Sequence, residues 1–240
     1  MPHVDKHPPG EFVWIELGTT NQAAAKEFYG KLFGWTANDM PMGPDQHYTI
    51  FRLEDRDVSA AYTLRPEPSG NTPPPHWMPY ISVENVDDAS SRALKAGGTV
   101  VSPPFDVFDA GRMAVIQDPT GAMFSLWQPK NNSGIGIAGA DGTLCWADLM
   151  TTDAARARQF YADLFGWQLT TSPHDPSGYL HIKNGETFIG GIPPMGPQRG
   201  APSHWLLYFQ VSNCDASAAQ AKSSGAQIYF GPTTIEGVGR

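Results

Sequence analysis

Phe28-Tyr29-Gly30-Lys31-Leu32-Phe33-Gly34-Trp35 returns as Phe160-Tyr161-Ala162-Asp163-Leu164-Phe165-Gly166-Trp167, displaced by 132 residues. Working outward, 10–35 and 142–167 agree at 13 of 26 positions. Further on, His76-Trp77 matches His204-Trp205 and Gly111-Arg112 matches Gly239-Arg240, both at an offset of 128. Across 76–87 and 204–215, six of twelve positions agree. A chain of 240 residues with this self-similarity reads as two related domains. The expected layout is an N-terminal arm at 1–10, a first domain at 11–129, a linker at 130–141 and a second domain at 142–240.

The local signals repeat with the motif. Residues 11–17 alternate as a strand. Thr19-Thr20-Asn21 supplies cap oxygens for a helix over 22–32. Its apolar stripe runs through Ala24, Phe28 and Leu32, flanked by Ala25 and Tyr29, and Gly34 stops it. Strands are expected from Trp35, at 47–53 and at 58–64, with Glu54-Asp55-Arg56-Asp57 as a turn. After a Pro-, Gly- and Ser-rich loop at 66–75, the pattern recurs. There is a strand at 77–83, Asp87 as cap, a helix at 88–96 and strands at 99–102, 113–117 and 122–128. Asp118-Pro119-Thr120-Gly121 is a turn, because Pro presets φ and Gly supplies the permissive position. The second copy opens with a strand at 143–149, and Asn184-Gly185 favours a hairpin between 179–183 and 187–192. Each domain is thus α+β, built on a strand–helix–three-strand module used twice. The second copy has no counterpart of 113–128. The expectation is a chain continuing by roughly 16–20 residues, since a sheet without its last strands exposes an unpaired edge.

Several classes are excluded. The net charge of −8 with no basic block argues against nucleic acid. No apolar run spans a membrane. Two unrelated cysteines, Cys145 and Cys214, form no disulfide framework, and a cytoplasmic protein is expected. Gly134-Ile135-Gly136-Ile137-Ala138-Gly139 spells a dinucleotide fingerprint, but a strand rather than a helix follows it, so it reads as linker. The glycosylation sequon at Asn131 has no secretory context.

The helix motif F-Y-x-x-L-F-G-W, with D-P-T-G-x-x-F before the last strand of the second module, resembles the vicinal oxygen chelate superfamily. That is the group of glyoxalase I, bleomycin-resistance proteins and extradiol dioxygenases. The resemblance runs from about residue 11 to 240. It implies paired βαβββ modules whose curved sheets enclose a cleft, with metal ligands at matched strand positions in the metal-using members. Those positions fall here on Trp14 and Trp146, on Met78 and Leu206, and on Ser125, while 60–62 and 190–192 offer no acid. Indole nitrogen only donates, and Met and Leu do not suit hard or borderline metals.

Strand alternation places Glu16 on the same face as Trp14, and Asp148 on the same face as Trp146. His76, Met78 and Tyr80 share a face, as do His204, Leu206 and Tyr208. Glu16 either joins a polar group inside an aromatic pocket or sits at a wet edge paired with an Arg such as Arg112. His76 either contacts ligand or bonds a backbone carbonyl at the surface. Trp77 and Trp205 face the helices, and Cys145 reads as a buried small residue. The first functional reading is a binder of a small aromatic or apolar molecule, held by Trp14, Tyr80 and Trp127 without a cofactor. The second is a metal-dependent lyase or dioxygenase with a displaced divalent site at Glu16, His76 and His47, repeated as Asp148, His204 and His181. In a third, one domain binds and the other is scaffold. The expected partner is a small molecule, and four modules in one chain suit a monomer or a weak homodimer.

Overall fold

The computed structural model describes residues 3–44, 46–66, 70, 72–171, 177–197 and 200–240, so the loop at 66–75 lies partly outside the described residues. The first sheet has eight strands. Its first module is β1 (Phe12–Thr19), α1 (Gln22–Phe33), β2 (Thr36–Gly43), β3 (Gln46–Leu53) and β4 (Arg56–Thr63). Its second is β5 (His76–Ser82), α2 (Val86–Lys95), β6 (Thr99–Val107), β7 (Gly111–Gln117) and β8 (Met123–Pro129). The strand order β2-β3-β4-β1-β5-β8-β7-β6 joins the modules through the antiparallel pair β1–β5. The second sheet, ordered β10-β11-β12-β9-β13, holds five strands. They are β9 (Leu144–Met150), β10 (Gln168–Thr171), β11 (Leu180–Asn184), β12 (Thr187–Ile192) and β13 (His204–Phe209), with α3 (Ala154–Phe165) after β9 and α4 (Cys214–Ser223) after β13.

Caps explain the helix bounds. Asn21 accepts the Ala24 N–H, and Gly34, at φ +71°, returns its N–H to the Gly30 carbonyl. Asp153 and Gly166 do the same for α3. α2 starts earlier than expected, because Asn85 and not Asp87 is its cap, and Asn213 caps α4 likewise. Asp87 lies in the first turn, where an acid suits the helix dipole, and binds Arg112 through two hydrogen bonds of 2.8 and 2.9 Å. That pairing takes Arg112 away from Glu16, against one of the two expectations for that acid. The first-copy hairpin is also tighter than expected. Only Glu54 and Asp55, both at positive φ, form the turn, because Leu53 already pairs Arg56.

The apolar stripe of α1 differs from its expected position: Ala25 is buried, Phe28 half-buried and Ala24 exposed. In α3 the equivalents Ala157, Phe160, Tyr161 and Leu164 are all buried. The reason is tertiary. α3 packs on the second module of the first domain, where Phe124 meets Phe160 and Tyr161 at ring distances of 6.2 and 5.6 Å. The largest core cluster therefore spans both domains, from Ile81 and Phe124 to Tyr161 and Trp205. A smaller one gathers Trp35, Phe51 and linker residue Ile137, with Phe209 of β13 against it.

The repeated Trp makes this junction reciprocal. Trp35 donates its indole N–H to the Gly142 carbonyl at 3.0 Å, and Trp167 donates to the Gly10 carbonyl at 2.9 Å. Gly10 and Gly142 are themselves repeat partners, so each copy binds the entry point of the other. Tyr161 adds a link, donating to Asp118 of the D-P-T-G turn at 3.0 Å while accepting from Trp205 at 3.2 Å. Trp77 donates to Tyr29 in the same way.

The N-terminal arm is pinned where it is described. Val4 N–H bonds Gly136, His7 bonds the Ile135 carbonyl, and Gly10 N–H bonds Ser82. The glycines of the linker serve chain-to-chain contact. Gly134 has φ +109°, and a Cβ there would meet the Val13 carbonyl oxygen at 2.2 Å. Val13 and Cys145 occupy equivalent bulges, where β1 and β9 skip a residue against β5 and β13. The linker covers Val13, with Ile135 N–H on its carbonyl. Cys145 is exposed, contrary to expectation, because its bulge turns it out of the alternation and no described segment covers it.

Candidate functional site

Sheet register assembles the first cleft. On β1, Trp14 faces Tyr80 and Glu16 faces Met78 of β5, while Gly18 faces His76. β4 puts Ala60 beside Glu16 and Tyr62 beside Gly18. β8 puts Ser125 beside Tyr80 and Trp127 beside Ser82. Paired residues share a sheet face, so these side chains converge, and β3 adds Tyr48 and Ile50 through its pairing with β4. Trp14, Tyr80 and Trp127 are each 5–6% exposed and belong to one buried cluster. Trp127 is fixed there, its indole N–H on the Asn132 carbonyl of the linker at 3.1 Å. Glu16, Met78, Tyr48, Tyr62 and His76 are only half-buried and form the open end.

Glu16 is the chemical centre of this cleft. Tyr80 donates its hydroxyl to Glu16 at 2.7 Å. Tyr48 faces the same carboxyl, where it helps to lower its pKa, and itself accepts from the Trp14 indole at 3.2 Å. Desolvation raises the Glu16 pKa, although the two tyrosine hydroxyls and the field of His76 pull it down. Burial and the Glu16 charge push both Tyr48 and Tyr80 well above the ordinary phenol range, and Tyr62 up to about 12. All three tyrosines therefore stay protonated donors at neutral pH. Among the described residues no Lys or Arg forms an ion pair with Glu16. His76 stays outside ion-pair distance, with its Nδ1 donating to the Pro74 carbonyl at 2.9 Å.

The second domain builds the same device. Asp148, 5% exposed, accepts from Tyr179 at 2.5 Å, from Tyr208 at 2.9 Å and from the Trp146 indole at 3.1 Å. Tyr179 and Tyr208 are both pushed upward, chiefly by burial and then by Asp148. His204 bonds the Pro202 carbonyl, as His76 bonds Pro74. This cleft is more open, with Leu206 and Tyr208 each 42% exposed at the edge strand.

Tyr48, Tyr62 and Tyr179 were not singled out by the sequence reading. Tyr48 and Tyr179 are equivalent by register. Ile50 and His181 lie two residues on, each opposite the residue that flanks the acid. Their offset of 131 hides them, because the copies differ by one residue in this stretch. A donor-rich third strand opposite an acid was the available signal.

The metal positions implied by the resemblance do not fit a metal. Trp14 is a donor engaged with Tyr48, Met78 is a thioether, and Ser125 offers a buried neutral hydroxyl with no hydrogen-bond partner. The displaced set does not converge either. His47 alternates to the face opposite Tyr48 and lies 4.0 Å from Asp39. Among the described residues no three His, Cys, Asp or Glu side chains come together. A groove of about 860 Å³ runs elsewhere, between α2 and the end of α3. Its charged residues, Glu84, Asp88, Arg92, Lys95 and Asp163, are all exposed, so it lacks the desolvated chemistry of the Glu16 and Asp148 sites.

The family described as Glyoxalase/Bleomycin resistance protein/Dioxygenase superfamily matches residues 11–126 and 143–240. A Mycobacterium bovis protein named as a candidate glyoxylase, CFP32, is 39% identical over 247 residues, covering 100% of this chain and 92% of its own. The anthracycline biosynthesis protein DauV of Streptomyces sp. (strain C5) is 32% identical over 234 residues, 92% of this chain and 84% of that one. Among solved structures, the Mn(II)-bound glyoxalase from Novosphingobium aromaticivorans has a TM-score of 0.64 at 15% identity, covering 90% of this chain and 71% of that one. A variant of 4-hydroxymandelate synthase from Streptomyces coelicolor gives 0.62 at 15%, covering 91% and 76%. At these identities the structural likenesses show a shared fold. No helix among the described residues is long and apolar enough to cross a membrane.

Proposed function

Since the chain belongs to the glyoxalase/bleomycin-resistance/dioxygenase superfamily, yet puts Trp14, Met78 and Ser125 where metal ligands would stand, we propose that it binds a small aromatic or apolar molecule without that metal. The observation that carries this reading is the first cleft itself. A partly accessible, desolvated Glu16 accepts from Tyr80, with Tyr48 beside it, next to the buried cluster of Trp14, Tyr80 and Trp127. Apolar walls with a few convergent polar groups are the make-up of a small-molecule site.

The roles follow from position. Met78, flexible and polarisable, adapts the wall to a flat ligand. Trp14 fixes Tyr48, and Tyr80 fixes the carboxyl, so the polar anchor is oriented before ligand arrives. Relatives named for anthracycline biosynthesis make anthracyclines the first compounds to test. The assay is tryptophan fluorescence titration with an aromatic metabolite and antibiotic library, with and without chelator. Saturable quenching that chelator leaves unchanged is the expected result. No saturable ligand, together with about one equivalent of tightly bound Zn, Ni, Mn or Fe in protein purified without chelator, would overturn it.

A further inference from the structure

Resting on that reading, we infer that Glu16 takes a cationic nitrogen, an alkylammonium group carried on an aromatic or apolar body. A buried carboxylate is ordinarily paired with a cation or fully hydrogen-bonded. Among the described residues hydroxyls and an indole face the two acids, and no Lys or Arg forms an ion pair with either. Glu16 accepts from Tyr80 with Tyr48 beside it, and Asp148 accepts from Tyr179, Tyr208 and Trp146. A carboxylate offers about four lone-pair positions. Three donors nearly fill Asp148, whereas Glu16, with its bond from Tyr80 and Tyr48 beside it, has room for two N–H bonds from a ligand, and Glu16 is the more accessible of the two. The acid is thus oriented from below and left open toward the mouth, where Met78 and the rim tyrosines would seat the hydrocarbon next to the ammonium.

The titratable groups facing Glu16 are Tyr48 from β3, Tyr62 from β4, and Tyr80 and His76 from β5. None of them is a fixed cation. Desolvation raises the Glu16 pKa in the empty cleft, and a bound ammonium would lower it again. Ammonium binding therefore weakens as pH falls and Glu16 gains its proton, while binding of a neutral analogue does not.

The test compares 9-anthracenylmethylammonium with 9-anthracenylmethanol, two probes of the same ring that differ in the charged group. The full-length protein is titrated by fluorescence at neutral pH. The ammonium should bind at least about tenfold tighter, since a desolvated charge-assisted pair is made only there. In Glu16→Gln that preference should fall to within about twofold, because a charge-assisted hydrogen bond has been replaced by a neutral one. Urea denaturation of the same variant confirms that it is folded. Equal binding of the two probes to the wild type overturns the inference and leaves the small-molecule reading standing. A preference that survives in Glu16→Gln also overturns it, tracing the effect to the net charge of −8. If neither probe binds, the cleft reading falls, and the inference with it.

Discussion

Alanine at Gly142 and at Gly34 makes the same chemical change on nearly the same backbone, at φ +83° and +71°. A side chain in the left-handed region costs about 1 kcal/mol at either site. At Gly34 nothing lies within 4 Å of the new methyl, so the loss ends there. At Gly142 the methyl would sit 2.9 Å from Phe33 Cβ and 3.2 Å from Trp35 Nε1. Relieving that overlap costs about 1–3 kcal/mol. Moving the turn before β9 also strips Trp35 of its acceptor, the Gly142 carbonyl, and a buried unpaired N–H costs about 1–3 kcal/mol more. Gly142→Ala should therefore lose about 3–7 kcal/mol against about 1 for Gly34→Ala. The gain from a stiffer unfolded chain applies to both and cancels. Urea denaturation followed by tryptophan fluorescence reads the difference. With a slope of about 2 kcal/mol/M, the midpoints should separate by at least about 1 M. Equal midpoints would show that the Trp35–Gly142 link contributes nothing to holding the copies together.

Glu16→Gln should raise the urea midpoint of the ligand-free protein at pH 7. The folded pKa of Glu16 lies above its ordinary value of 4.5. The folded state therefore binds the extra proton between the two values, and stability is lost as pH rises through the folded pKa. Below 4.5 both states are protonated, so the advantage of Gln should vanish there; an advantage that persists at pH 3 would refute the desolvation argument. Tyr161→Phe removes a hydroxyl that donates to Asp118 and accepts from Trp205. It should cost about 2–4 kcal/mol by the same assay, because two buried partners are orphaned. Residues 1–141 expressed alone should bind a hydrophobic dye and show no sharp thermal transition, since Phe124 and Ile116 lose the α3 side of their core. A cooperative transition would show that the first domain is self-sufficient.

The repeat made the fold legible. Motif and turn could be placed because their residues carry backbone constraints, such as Gly34 and Gly166 as left-handed helix stops. Trp77 and Trp205 could be assigned to the helix side by alternation. Where the reading missed, tertiary contacts had overridden local pattern. Asn85 took the cap from Asp87, and Arg112 took Asp87. The half-buried state of Phe28, against the burial of Phe160, depends on which element lies over each helix. Cys145 escaped because a bulge breaks alternation without leaving a residue-type signature. In the cleft, Trp14, Glu16, Met78, Tyr80 and Trp127 could be brought to one face by counting along β1, β5 and β8. Tyr48 could not, because its approach to Glu16 depends on the β3–β4 register, which the shifted offset concealed.

The reciprocal tryptophan contacts also bear on how the chain is made. Trp167 must find Gly10 across 157 residues, and Trp35 must wait for Gly142 across 107. Contacts of such span form slowly, since the connecting chain must close before any of them contributes. During synthesis the first sheet leaves the ribosome with the face around Phe124 and Ile116 uncovered, and only the arrival of α3 closes it. Until α3 arrives, that face of the nascent half has nothing of this chain to pack against. Duplication in one polypeptide supplies the covering half in cis, at an effective concentration no separate copy would reach.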